Sequence, residues 1–215
     1  MKIKTRIINI EIEYLLFIVI LISIFSTHFR IYMKLYFIYY LFILFHELSH
    51  IFIAALLDKK INSLKFSVAG ACAVFNDEFE VENLKQIIKN IIVYIAGPIS
   101  NFMLAIFFRY NKMIFEINLF LFIINLIPIF PLDGFKISKN FLLLLKYFRL
   151  IKFDIEVFQK ILQMIFIFAL FIISIIQIIE YYNPTILIFL FYIYIINKQE
   201  KSKIDIGKII KNIPT

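Results

Sequence analysis

Two histidines and a glutamate stand in the middle of an apolar run, Phe45-His46-Glu47-Leu48-Ser49-His50-Ile51. On a helix, His46 and His50 lie one turn apart on one face, so both imidazoles can reach one cation, while Glu47 lies about 100° round and can hold a water. The spacing is H-E-x-x-H, and a cation, a carboxylate and a water held together are equipment for hydrolysis. Ionisable groups inside an apolar span are costly and mark function by default. The competing account is a polar patch that hydrogen-bonds between packed helices.

Two imidazoles are too few for a catalytic metal site, which needs three protein ligands and a water. The remaining candidates are His28, Cys72 and Asp133. His28 lies at the far end of the same apolar run, and Cys72 in the connector after it. Asp133 closes the segment Asn125-Leu-Ile-Pro-Ile-Phe-Pro-Leu-Asp133-Gly134, where Pro128 and Pro131 break a helix and free backbone groups near the carboxylate. An aspartate before a glycine also caps turns. A third motif, Ala96-Gly97-Pro98-Ile99-Ser100-Asn101, lies inside another apolar run. Gly97 and Ser100 permit close helix approach, and Asn101 needs a hydrogen-bond partner in a bilayer. Packing and a direct part in the site both fit that motif.

The elements that must position these residues are membrane spans. Of 215 residues, 62% are hydrophobic and 18% charged, against about 45–50% and about 25% in a soluble domain. A hydrocarbon core about 30 Å thick needs roughly 20 apolar residues, which predicts six helices at about 10–27, 31–57, 86–108, 114–132, 157–179 and 184–197. Residues 58–85 and 133–156 are expected as short connectors. The fold class is therefore an all-α membrane protein of about six transmembrane helices, with a short strand-like or re-entrant segment after the histidine-bearing helix. That segment runs from Asn62 to Gly70, where Leu64, Phe66 and Val68 alternate with polar neighbours. An exposed edge there could pair with an extended peptide; an ordinary hairpin or re-entrant loop is the other account. The acidic run Asp77, Glu78, Glu80 and Glu82 reads as a solvated face.

The formal net charge of +8 is a topology signal before it is anything else. With the N-terminus inside, 18 lysines and arginines fall on inner segments and 4 on outer ones, which predicts a multi-pass cell-membrane protein with both termini cytoplasmic. Orientation and lipid headgroup contact account for the basic charge, and nucleic acid is not expected as a partner. The same count places His46, His50 and the segment before Asp133 at similar depth in the cytoplasmic half. One polytopic domain, 1–200, and a short basic tail, 201–215, are expected. Basic residues before the first apolar run, with no small-residue cleavage site and with Glu11 and Glu13 interrupting it, read as an uncleaved signal anchor. The single cysteine excludes an internal disulfide.

The motifs HELSH, AGPISN and NLIPIFPLDG, in that order on successive apolar spans, resemble the site-2 protease family of intramembrane zinc metalloproteases. Within it the chain is similar to the sporulation branch, which processes the membrane-associated precursor of sigma factor K. The resemblance covers residues 10–200, its specific part 46–135. It implies one zinc ion per chain held by His46, His50 and Asp133, with Glu47 as the catalytic carboxylate. It also implies that Asn125 and Pro131 shape the substrate path; Asn101, Gly134 and Phe66 stand beside them as supporting residues. The partners implied are a membrane-associated protein substrate such as that precursor and the lipid bilayer, with room for membrane-protein regulators. Two departures lie beside ligands: Phe135 replaces the second glycine often found after Asp-Gly, and Ser49 stands where HELGH is usual. Neither a nucleotide-binding CBS domain nor a PDZ domain is expected. A membrane metal transporter or sensor could use the same ligands without Glu47, but would want further ligands along a path, and the sequence offers almost none. Serine intramembrane proteolysis lacks its G-x-S-G motif, and the aspartyl class lacks a second intramembrane aspartate.

Overall fold

The computed structural model describes residues 2–4, 9–12, 27–59, 61–67, 70–75 and 83–211, with side chains over 33–59 and 83–198. The strands are β1 (Lys2–Lys4), β2 (Asn9–Ile12), β3 (Ile61–Ser67) and β4 (Gly70–Phe75). The helices are α1 (Thr27–Leu56), α2 (Leu84–Phe107), α3 (Lys112–Leu126), α4 (Asp133–Tyr147), α5 (Ile155–Tyr181) and α6 (Thr185–Lys211). Met1–Asn125 and Leu126–Thr215 are two compact units.

In the first unit, α1 runs 30 residues without a glycine or proline. It stops where Asp58 turns left-handed, at φ 54°, and the Lys59 N–H reaches back to the Ala54 carbonyl at 2.8 Å, a helix-ending turn that aspartate tolerates. Asn83 starts α2, its side-chain oxygen accepting the Lys85 N–H at 3.2 Å. Every third or fourth residue of α2 is then buried, from Ile87 and Asn90 through Val93, Tyr94, Gly97 and Pro98 to Asn101 and Ala105. This stripe is the face that packs on α1.

The four strands form one sheet in the order β1-β2-β3-β4, antiparallel except for the parallel β2–β3 pair. A short strand after the histidine-bearing helix is thus present as β3, but it has company the sequence reading did not expect. Phe66 is paired with Ile12 on one side and Ala71 on the other. The expected free edge on this strand is corrected: its backbone is taken on both sides, and among the described strands the outer positions belong to β1 and β4. Cys72 lies on β4. The N-terminal segment supplies β1 and β2, so the expected first span, about 10–27, opens on a strand; its residues 13–26 lie outside the described residues. The parallel pair gathers into one sheet the two lysine-bearing segments that the charge count puts on one side of the bilayer.

In the second unit, α4 corrects the expected connector over 133–156. Lys136, Lys139 and Lys146 dilute the apolar signal there, yet Phe141, Leu142, Leu143, Leu144 and Leu145 are good helix material. Asp154 caps α5, accepting the Glu156 N–H at 2.8 Å and the Val157 N–H at 3.4 Å. The residues of the expected tail continue α6 as far as Lys211.

Three described helices are long and apolar enough to cross a membrane: Met33–Leu56, Leu84–Phe107 and Ile155–Tyr181. They match the second, third and fifth expected spans. The expected fourth span, 114–132, is cut short because α3 ends at Leu126 after 15 residues, about 22 Å at 1.5 Å per residue, ahead of Pro128. The sixth corresponds to the shorter apolar stretch Thr185–Lys198.

Candidate metal centre

His46, Glu47 and His50 project from adjacent turns of α1, and one ligand atom from each lies within 4.8 Å of the other two. The imidazoles are almost wholly shielded, at 3% and 2% exposure, although they sit on a helix whose other faces carry Leu41, Phe45, Leu48 and Phe52 outward. Their rings stand nearly perpendicular, at 83°, with centroids 4.8 Å apart.

The orientation of His50 has a specific cause. Its Nδ1 is 2.7 Å from the Val93 carbonyl oxygen; a carbonyl only accepts, so Nδ1 carries the proton and Nε2 presents its lone pair. That Nε2 lies 3.1 Å from the Nε2 of His46. Two nitrogens about 2.0–2.1 Å from a tetrahedral zinc ion are roughly 3.3–3.4 Å apart, so the pair is spaced as ligands are. A backbone carbonyl holding the far nitrogen is the usual outer support of such a histidine. Pro98 contributes indirectly, since it has no N–H for the Tyr94 carbonyl and loosens the α2 ladder next to Val93.

Gly97 makes the space at the two nitrogens. A Cβ built there would lie 2.3 Å from His50 Nε2 and 2.6 Å from His46 Nε2. The ring nitrogens therefore approach the α2 backbone where no other residue type would let them. Two buried imidazoles whose Nε2 atoms are spaced as ligands, with a carboxylate alongside, fit a zinc ion.

Asn101, one turn beyond Gly97, is fully buried. Its Oδ1 accepts from the Ser100 hydroxyl at 3.4 Å, which also donates to the Gly97 carbonyl at 2.7 Å, while its Nδ2 has no partner among the described residues. Asn125 closes the first unit, with its Nδ2 donating to the Leu121 carbonyl at 3.0 Å.

Asp133 belongs to the second unit as the first residue of α4. The helix N-cap is Leu132, with no side-chain capping bond, so Asp133 is not the cap that the turn reading allows; it lies in the first helical turn, where the positive end of the helix dipole favours a carboxylate. The loop leading to it contains Pro131, after a cis Phe130–Pro131 bond. Gly134 is required by contact: a Cβ would lie 2.3 Å from the Leu126 carbonyl oxygen and 2.4 Å from that of Ile127. Gly134→Ala is expected to push the start of α4 off this backbone and cost about 1–3 kcal/mol, the range of overpacking, read as a lowered thermal midpoint of the purified protein.

Two residues that the sequence reading passed over hold this loop and the first turns of α4. Gln159 on α5 donates to the Phe135 carbonyl at 3.1 Å and to the Ser138 hydroxyl at 2.7 Å. Asn197 on α6 donates to the Phe130 carbonyl at 3.3 Å. Their signal was available, since amides inside apolar spans mark interhelical contacts. The Val93 carbonyl had no such signal, because every residue has one.

This arrangement of helices and sheet is the fold of a site-2 protease. The site-2 protease from Methanocaldococcus jannaschii has the same fold with a TM-score of 0.59, at 22% identity over 93% of this chain and 94% of that one. At the level of sequence, residues 35–112 match the profile of peptidase family M50. The matched stretch carries His46, Glu47, His50, Gly97 and Asn101. No curated protein matches the chain.

Proposed function

We propose that the chain is an intramembrane zinc metalloprotease that cleaves a membrane-associated protein within or near the bilayer. The observation that carries this reading is the buried histidine pair, with His50 oriented by the Val93 carbonyl and the two Nε2 atoms 3.1 Å apart against Gly97. The match to peptidase family M50 over the same helices supports it. One zinc ion bound there would supply Lewis-acid activation, lowering the pKa of a water towards about 7. His46 and His50 would hold the ion, and the resemblance to the site-2 protease motifs names Asp133 as the residue to complete the ligand set. Glu47 takes a proton from the water as oxygen bonds to the peptide carbonyl carbon, then gives that proton to the departing amine as the C–N bond breaks; it ends as it began. Asn125 and Pro131 shape the path of the substrate, which must be extended because a helix hides its carbonyls. The outer edge of β4 offers such a peptide a partner.

The finer reading is an enzyme like stage IV sporulation protein FB, acting on the sigma factor K precursor, with both termini cytoplasmic. The three motifs and the distribution of lysine and arginine support it.

The test is co-expression of the wild type and Glu47→Gln with a tagged, membrane-tethered sigma factor K precursor, read on a blot. Cleavage by the wild type alone is the expected result; equal cleavage by both would remove the proposed role of Glu47. Asp133→Ala tests the third ligand: zinc retained by the purified protein should fall at least about tenfold, and retention equal to wild type would discard that assignment.

A further inference from the structure

At the end of the first unit where α1 stops and α2 starts, a cavity of about 270 Å³ is lined by Lys59, Lys85 and Lys89, with Asp58, Asn83 and Asn90 among the other walls. It opens immediately after one membrane-length segment, Met33–Leu56, and over the first turns of another, Leu84–Phe107. For helices of that length that cross a bilayer, such an end is where hydrocarbon gives way to lipid headgroups.

Among the described residues that line it are three lysines and one aspartate, and two of the three ammonium groups are fixed. The Lys59 Nζ donates to Asn90 Oδ1 at 2.6 Å and lies 5.1 Å from the centre of the Tyr94 ring. The Lys89 Nζ donates to the Leu57 carbonyl at 2.6 Å, which occupies one of its three N–H donors. The Lys85 Nζ makes no hydrogen bond or ion pair with a described residue. The N-terminus of α2 adds its partial positive charge to the same wall. Lysines that only capped the end of α1 would not need a cavity between them.

We infer that this cavity binds the phosphate of an anionic glycerophospholipid headgroup, held between the inner ends of α1 and α2 by Lys59, Lys85 and Lys89. Basic pockets between membrane helices take headgroups in this way. Asp58 opposes the ligand, so removing its charge strengthens binding while removing a lysine weakens it. Opposite signs from neighbouring positions are what a capping role alone would not produce.

The experiment reconstitutes the full chain in vesicles of phosphatidylcholine with one third phosphatidylglycerol, extracts it in mild detergent, and counts retained phosphatidylglycerol by native mass spectrometry. Lys85→Gln is expected to lower retention about fivefold, and Asp58→Asn, whose asparagine tolerates the left-handed backbone, to raise it by a similar factor. Both variants keep every hydrogen bond described above, so they remain informative if Lys89→Gln fails to fold. Lys112→Gln, an exposed lysine paired with Glu116 at 3.9 Å, should change nothing. Retention that is the same in wild type, Lys85→Gln and Asp58→Asn overturns the inference, as does equal retention of phosphatidylcholine. If millimolar inorganic phosphate displaces the lipid, free phosphate is the ligand and the assignment to a headgroup falls.

Discussion

Replacing Gly97 with alanine is expected to empty the centre of zinc and abolish cleavage together. The new methyl carbon would stand 2.3 Å from one histidine nitrogen and 2.6 Å from the other, where ordinary contacts need more than 3 Å, so the imidazoles must move by the better part of an ångström. Ligand positions are usable only to about 0.2 Å, and neither ring has room to retreat, since His50 is tied to Val93 and both are buried. Zinc per purified chain should drop at least about a hundredfold in affinity, more than the 10–100-fold typical of losing an outer support, with an overpacking cost of about 1–3 kcal/mol. Metal analysis and a melting curve on the same sample separate the two effects. Wild-type metal content in this variant would mean that the histidine nitrogens face some other way when the ion is bound.

The second large effect is the reverse case, with metal kept and chemistry lost. Glu47→Gln preserves size and polarity but can no longer take a proton, so the rate of peptide hydrolysis should fall by about 10²–10⁴, the usual worth of a positioned acid–base group. Zinc content should stay at the wild-type level because the ligands are untouched. Only the pair of results distinguishes a hydrolase from a metal carrier: a transporter with the same histidines would keep its function in this variant. Because Gly97→Ala silences metal and reaction while Glu47→Gln silences reaction alone, the two variants together separate holding the ion from using it.

The part of the centre on α1 could be read from the chain because its logic is local. Residues 46, 47 and 50 are set by helical spacing, and an apolar context made their charge conspicuous. Gly97 was half legible: its small size announced a close approach, but nothing in the sequence says that the approaching atoms are the histidine nitrogens. The sheet was the least visible element, because β2 pairs with β3 across more than fifty residues and the N-terminal segment looks like the approach to a membrane span. Helix α4 was hidden by its lysines, which lower the apolar signal without lowering helix propensity. Gln159 and Asn197 were overlooked because the spans were weighed as wholes; a single amide scarcely alters the hydropathy of a span, though it fixes which neighbour that span must meet.

The bond from His50 to Val93 has one more implication. The atom that orients the imidazole belongs to the peptide backbone, so no change of side chain at position 93 can delete it. A mutational scan at this buried position would report how the valine side chain packs and miss the part its carbonyl plays. Drift in the gene is equally powerless against it, short of a change that bends α2. Only chemical synthesis could reach it directly: an ester in place of the following amide would weaken the acceptor and leave the sequence of side chains intact.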